Sequence, residues 1–279
     1  MFVLLWSTGF IVARYGTEDA GPLTFLSLRL FIAAIVLLAV AQLTAAPAIG
    51  RRAVGWAAVS GLGMHAVYLG GVFLAISWGM PSGVGALIAG LHPVITTVTA
   101  RVVLGERLAM WQWVGVALGF VGVIVVVADH MRGSHSDIST GALIAAGVSV
   151  LGMCFGTLVQ RKHGSNMPLL RGTVVQYLAS AAVLLLGALV HEGWEFNVTT
   201  RSVFALAWAV VVLSIAAVLI MLWLLQRHAA ARVSSLFFLT PALSTIEGAV
   251  LFGESLGGLA IVGLVVALVG VSLTLRARR

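Results

Sequence analysis

Long apolar segments, separated by short polar connections, follow one another along the whole chain. They lack the strict alternation typical of barrel strands, and most approach the roughly 20 residues that a membrane-spanning helix needs. The sequence therefore predicts an all-α polytopic membrane protein with ten transmembrane helices. The predicted helices cover 2–15, 22–45, 53–77, 82–104, 110–128, 141–160, 168–190, 203–226, 232–252 and 258–275.

Two parts of the chain repeat each other at a fixed offset. The segment 91–97 (LHPVITT) and the Gly-Glu pair at 105–106 return 148 residues later as 239–245 (LTPALST) and a second Gly-Glu pair. We therefore expect two five-helix repeats, at 1–128 and 141–275. An odd number of helices per repeat inverts the second copy in the membrane, and secondary transporters built this way bind substrate at the midplane between the halves.

Composition and charge support a membrane protein and predict its orientation. The chain is 61% hydrophobic and 9% charged, with a mean hydropathy of +1.11, whereas a soluble domain carries about 25% charged residues. Basic residues concentrate in one set of loops and ends, which predicts a multi-pass membrane protein with both termini in the cytoplasm. The members of this set are Arg51, Arg52, Arg101, Arg107, Arg161, Lys162, Arg227, Arg232, Arg276, Arg278 and Arg279.

Each repeat places a proline inside a predicted helix. Pro93 and Pro241 lack an N–H and crowd the carbonyl four residues earlier, so Ala89 and Phe237 should present freed carbonyl oxygens. Such groups are tolerated inside the membrane only against protein or a wet cavity. Either the prolines are packing kinks, or they form gates beside a central cavity.

Polar residues form a stripe beside each proline, because positions i, i+4 and i+7 share one helix face. His92, Thr96 and Thr99 form the first stripe. The repeat places Thr240, Ser244 and Glu247 at the same three positions, where they form the second. Both faces should point inward, where aromatic side chains of other helices would complete an amphipathic site. The predicted substrate contacts are Trp6, Phe10, His65, Tyr68, Ala89, His92, Thr96, Phe237, Phe238, Thr240 and Ser244. Taken singly, each aromatic residue is equally compatible with helix packing.

Two ionisable residues lie at similar predicted depth within the membrane. Arg29 is seven residues past Pro22, and Glu247 is six residues before Gly253, so both should lie about 10 Å from the outer surface. Unpaired charges at that depth are costly. We therefore expect Arg29 and Glu247 to form an ion pair, with Glu247 as a proton-coupling carboxylate as the alternative.

The paired Pro…Gly-Glu segments, the ten-helix layout and the opening Trp6-Ser7-Thr8-Gly9-Phe10 resemble the EamA-type members of the drug/metabolite transporter superfamily, especially its YddG-type aromatic amino-acid exporters. This resemblance covers nearly the whole chain. It implies a basket of helices one to four and six to nine around a central cavity, and export of amphipathic amino acids across the bacterial inner membrane. The small four-helix members carry a functional glutamate in their first helix, which the predicted helix 2–15 lacks.

These observations together predict a secondary transporter that exports aromatic or large neutral amino acids, or related metabolites, by alternating access. The alternative is efflux of lipophilic cations or drugs through cation–π attraction. An enzyme is not expected, because the one histidine-glutamate run, His191-Glu192-Gly193-Trp194-Glu195, lacks the second histidine of a zinc protease motif. We predict no cofactor, metal or nucleic-acid partner. The expected partners are the small-molecule substrate and membrane lipid, with the chain a monomer or weak homodimer.

Overall fold

In a computed structural model the chain is a bundle of helices. The structure describes residues 2–92, 94–96, 98–99, 109–132, 138–164, 167–218, 220, 239–253 and 257–274. Over these residues we number ten helices in chain order. They are α1 (Phe2–Asp19), α2 (Pro22–Leu43), α3 (Arg51–Ser77), α4 (Ser82–Ala89), α5 (Met110–Arg132), α6 (Thr140–His163), α7 (Leu169–His191), α8 (Thr200–Ala217), α9 (Leu239–Phe252) and α10 (Gly258–Thr274).

Six of these helices, α2, α3 and α5 to α8, are long and apolar enough to cross a membrane. No strand occurs in the described ranges, apart from an isolated antiparallel bridge between Ala20 and Phe196. The all-helical fold is therefore as predicted. The first helix is longer than expected: it continues past Arg14 to Asp19, and the Arg14 guanidinium lies 4.2 Å from the centre of the Phe252 ring in α9.

Two helices contain a π-helical segment that the hydropathy pattern did not reveal. In α3 it covers Leu62–Val67, and in α8 it covers Ala209–Ala217. These helices hold the third position in each predicted repeat. Because π-helical turns are rare and occur mostly at functional sites, the residues around these two segments are candidates for the functional site.

The helix α4 is interrupted one turn before Pro93. Regular α-helix ends at Ala89. The next two residues, Gly90 and Leu91, form a turn. The Leu91 N–H donates to the Ile88 carbonyl at 3.0 Å, in place of the helical bond to Leu87. Helical structure resumes at His92. The bend lies beside the polar stripe that the sequence analysis identified.

Helices that hold the same position in the two predicted repeats pack against each other as pairs: α2 with α7, α4 with α9, and α5 with α10. Between α5 and α10 the contacts run through glycine. A Cβ on Gly122 would lie 2.5 Å from the Gly263 carbonyl oxygen, and one on Gly270 would lie 2.6 Å from the Gly115 carbonyl oxygen. Residue numbers rise along α5 as they fall along α10, so the two helices are antiparallel, and only glycine permits this approach of the backbones.

One end of the bundle is held by hydrogen bonds between the α1–α2 and α7–α8 connections. The carboxylate of Glu192, just after α7, accepts the backbone N–H groups of Leu23 and Thr24, each at 2.8 Å. These are unpaired donors at the first turn of α2, where a negative charge also meets the positive end of the helix dipole. Arg201 pairs with Glu18 and lies 3.6 Å from Asp19, which adds a second link between the same connections.

Candidate functional site

A small cavity lies where helices of both predicted repeats converge. Its lining comes from α1, α3, α4 and the turn after it, α6 and α9. The lining residues are Trp6, Phe10, Tyr68, Ala86, Ala89, Gly90, His92, Met153, Thr240 and Pro241. Trp6, Phe10, Tyr68, Ala89, His92 and Thr240 are six of the predicted substrate contacts, and Pro241 is one of the two predicted kink residues.

The cavity wall is aromatic and apolar with a few polar groups. None of its ten residues is an Asp, Glu, Lys or Arg. The volume open to the centre of a water molecule is about 30 Å³, whereas one water needs roughly 10–15 Å³ of such space. This conformation therefore has room for about two water molecules, and a larger ligand requires the surrounding helices to move apart.

The His92 side chain has a defined hydrogen-bonding state. Its Nδ1 lies 3.3 Å from the Ala89 carbonyl oxygen, which can only accept, so Nδ1 carries the proton. In a neutral imidazole Nε2 is then an acceptor. The sequence analysis expected the Ala89 carbonyl to be free, but the structure gives it this histidine donor. The His92 carbonyl in turn accepts from the Cys154 thiol of α6 at 3.3 Å.

The polar stripe on α9 behaves differently at each of its positions. Thr240 lines the cavity and is buried, and its hydroxyl has no hydrogen-bond partner among the described residues. Ser244 is also buried but donates to the Ser7 carbonyl of α1 at 3.0 Å, so it joins helices and is not a lining residue. Glu247 accepts from the Ser7 hydroxyl at 2.6 Å.

The predicted ion pair between Arg29 and Glu247 is not formed. Arg29 donates through Nε to the Ser214 hydroxyl of α8 at 3.0 Å, whereas Glu247 is bound to Ser7 of α1. Equal depth along two helices does not specify the direction in which each side chain points, and this direction decides the partner. The expectation of a direct pair was therefore wrong.

His65 lies behind the cavity wall. Its Nε2 is 3.4 Å from the Oε1 atom of Gln176, and its ring meets the edge of Tyr177 with centroids 4.8 Å apart. The Gln176 amide also donates to Gln160 of α6 at 3.0 Å. His65 thus belongs to a polar chain between α3, α7 and α6, while Tyr68, one turn further along α3, reaches the cavity.

Five predicted site residues need separate mention. Pro93, Phe237 and Phe238 lie outside the described residues. Thr96 is described and buried, but it is not among the residues that line the cavity. Pro241 is buried at the wall, and its Cγ would lie 3.0 Å from a Cβ built on Gly90 of the turn after α4.

The sequence analysis missed several residues of this region. Met153 lines the cavity from α6, and Gln176, Tyr177, Ser7 and Ser214 supply the hydrogen bonds around it. Only Gln176, an amide within a predicted span, carried a signal that could have identified it. Among the described residues, no group of three or more His, Cys, Asp or Glu side chains could hold a metal ion.

Comparison with known proteins places this arrangement in a family. The sequence pattern of the EamA-like transporter family matches twice, over residues 1–128 and 140–276. The chain belongs to the EamA-like transporter family. The family is one of transporters, and the resemblance to the drug/metabolite transporter superfamily is confirmed.

Two relatives and one solved structure illustrate this similarity. The "Probable amino-acid metabolite efflux pump" of Salmonella typhimurium is 26% identical over 97% of this chain and 91% of its own length. The "Uncharacterized inner membrane transporter YedA" of Escherichia coli is 26% identical over 91% of this chain and 81% of its own length. A crystal structure of a protein 20% identical to this chain shares the fold with a TM-score of 0.68, over 98% of this chain and 93% of that one.

Proposed function

We propose that this protein is a secondary transporter of the bacterial inner membrane that exports aromatic or large neutral amino acids and related metabolites. The observation that carries the proposal is the cavity, which residues of both predicted repeats line. Its wall has the aromatic side chains Trp6, Phe10 and Tyr68 of the first repeat, and none of its residues is Asp, Glu, Lys or Arg. Such a wall suits a substrate with a large apolar side chain and no net charge. A relative named as an amino-acid metabolite efflux pump supports the same class.

The packing of α5 against α10 supports the proposed inverted repeats. Gly115 and Gly122 correspond to Gly263 and Gly270 at the repeat offset of 148 residues. Gly122 approaches Gly263, which is the counterpart of Gly115. In the same way Gly115 is approached by Gly270, which is the counterpart of Gly122. A contact of this kind is the mark of a two-fold axis. Between antiparallel helices that cross a membrane, the axis lies in the membrane plane and relates inverted halves.

Alternating access is the mechanism that we propose for this arrangement. The present cavity has room for only a few water molecules, and we propose that substrate enters when one half moves against the other. The turn at Gly90–Leu91 and the π-helical segments of α3 and α8 interrupt regular helix near the cavity. We propose that these interruptions absorb the change of helix angle as the cavity opens to each side in turn.

The proposal is tested with purified protein in liposomes. Labelled phenylalanine should accumulate by counterflow with saturable kinetics and without bulk ionic current. Replacing Trp6 by alanine should lower transport efficiency about tenfold, because a loss of about 1.4 kcal/mol of aromatic contact corresponds to one factor of ten. Trp111→Ala, which truncates an exposed tryptophan of α5, is the matched control and should leave transport unchanged.

A competition experiment separates this proposal from efflux of lipophilic cations. The aromatic wall of Trp6, Phe10 and Tyr68 also suits cation–π contacts. A hydrophobic quaternary ammonium compound and unlabelled leucine are added separately to the phenylalanine assay. Competition by leucine alone supports the amino-acid proposal. Transport of the ammonium compound together with failure to transport any amino acid would contradict it.

A further inference from the structure

Arg29 is a buried cation to which the described part of the chain supplies no acidic partner. It lies in the middle of α2 and is 7% exposed, and its hydrogen bond to a protein group runs from Nε to the Ser214 hydroxyl at 3.0 Å. A guanidinium has five N–H donors arranged in a plane. No described residue accepts from its two terminal amino groups. A charge at membrane depth is costly unless it is paired.

The acidic residues of the described ranges are engaged elsewhere or lie apart from Arg29. The chain has nine Asp and Glu residues, and six of them are described. Their positions are as follows: Glu18 and Asp19 face Arg201, Glu192 caps α2, Asp129 accepts the Ala260 N–H of α10, Glu195 is exposed in the α7–α8 connection, and Glu247 is bound to Ser7. None of the six therefore neutralises Arg29.

Arg29 interacts with a residue of the cavity wall. Tyr68 and Tyr177 both lie close enough to the guanidinium to interact with it electrostatically, and Tyr68 is one of the residues that line the cavity. Tyr177 contacts the same serine as Arg29, because its hydroxyl donates to the Ser214 carbonyl at 3.3 Å. The hydroxyl of Ser214 holds Nε, which leaves the two terminal amino groups for a ligand.

We propose that Arg29 binds the carboxylate of the transported substrate, with Tyr68 beside it. This inference rests on the proposed function and specifies its substrate class: molecules with a free carboxylate and a large apolar group. The two terminal amino groups of a guanidinium can donate two parallel hydrogen bonds to one carboxylate, a geometry that a lysine cannot reproduce. The aromatic wall holds the apolar group, and the cation beside it repels positively charged compounds that lack a carboxylate.

The test measures binding with three probes that differ only in their charged groups: phenylalanine, phenethylamine without the carboxylate, and 3-phenylpropionate without the amine. Dissociation constants are read from tryptophan fluorescence of purified protein in detergent. In Arg29→Gln the dissociation constants of both carboxylates should rise at least tenfold, while that of phenethylamine should stay the same or fall. Arg29→Lys should give a smaller rise of about threefold to fivefold.

Arg171→Gln is the matched control, because Arg171 also donates through Nε, to the Ala46 carbonyl at the far end of α2. It should leave all three constants unchanged. If Arg29→Gln yields no monodisperse protein, Arg29→Lys carries the test through the same ratio of constants. An equal change for all three probes means that Arg29 is structural, and this result overturns the inference.

Two further outcomes separate the inference from the proposed function. Arg29-dependent binding of the carboxylates without counterflow supports the inference and contradicts transport of amino acids. Counterflow that Arg29→Gln slows equally for phenylalanine and phenethylamine supports transport and overturns the inference. Binding of phenethylamine that improves on addition of acetate means that Arg29 holds a separate anion, and this also overturns the assignment to the substrate carboxylate.

Discussion

Two pairs of corresponding helices, α5 with α10 and α4 with α9, pack in different ways. Both pairs come from the repeated segments and both are antiparallel, since Gly83 approaches Thr245 while Gly90 approaches Pro241. The backbones of α5 and α10 meet directly at their glycines. The second pair, with Gly90 and His92 directly after α4, instead contributes six of the ten residues around the cavity, and α5 and α10 contribute none. One pair therefore joins the halves tightly, and the other leaves space between them.

This comparison indicates that the α5–α10 pair stabilises the bundle, whereas the α4–α9 pair takes part in transport. Small residues allow close van der Waals packing between helices in lipid, and such packing resists movement. A buried hydroxyl without a partner, as at Thr240, is poorly suited to a static interface, because an unsatisfied buried polar group costs about 1–3 kcal/mol. The three predictions below test whether substitutions in the first pair alter stability while those in the second alter transport.

The largest effect is expected at the α5–α10 contact. In Gly122→Ala the new Cβ would lie 2.5 Å from the Gly263 carbonyl oxygen and closer still to the backbone of Ala267. The helices must separate, which should cost about 3 kcal/mol or more in stability. Thermal unfolding in detergent measures this loss. Gly147→Ala in α6 is the control, because its Cβ would meet nothing within 4 Å; similar unfolding temperatures for both variants would contradict the prediction.

An intermediate effect is expected at Thr240. In Thr240→Val the side chain keeps its shape but loses its hydroxyl, and a hydrogen bond to substrate is worth about 1 kcal/mol, or roughly fivefold in affinity. The half-saturating phenylalanine concentration in counterflow should therefore rise about fivefold. The unfolding temperature should stay the same or rise, because the variant no longer buries an unpaired hydroxyl. Thr173→Val in α7, which removes an exposed hydroxyl bonded to the Leu169 carbonyl, is the control. Loss of stability without any change in transport would assign Thr240 to packing.

The smallest effect is expected at Gly90. In Gly90→Ala the Cβ would lie 3.0 Å from the Pro241 side chain, so a shift of a few tenths of an ångström relieves the contact. Stability should change by about 0.5 kcal/mol or less. Maximal transport should fall about twofold, because the methyl group stiffens the turn and narrows the cavity. A loss of stability as large as that of Gly122→Ala would remove the distinction between the two helix pairs.

The hydropathy pattern predicted the helices well because length and apolarity are properties of each segment alone. It placed all ten helices, with the ends of several shifted by a few residues. The end of α1 was wrong because Arg14 was interpreted as a boundary, whereas its guanidinium lies over the Phe252 ring and remains within the bundle. The π-helical segments were missed because they leave the average apolarity of a span unchanged.

The site was predictable only in part, for a related reason. Proline, aromatic and polar residues on one face of a helix indicate an inward direction, and residues selected this way lie together at the cavity wall. Which neighbour a side chain meets depends on the rotation of two helices about their axes. This rotation cannot be derived from the hydropathy pattern. The sequence therefore predicted Glu247 as the partner of Arg29, whereas in the structure Arg29 donates to Ser214. The same limit concealed the link from His65 to Gln176.

The thiol of Cys154 provides a means to follow the working cycle. It is the one cysteine of the chain, and it is buried on α6 against the carbonyl of His92, next to the cavity residue Met153. If α6 and the α4 region separate during transport, a maleimide reagent should gain access to this sulfur. The protein therefore needs no introduced cysteine for this experiment. The rate of Cys154 labelling with and without substrate would measure how often the cavity opens.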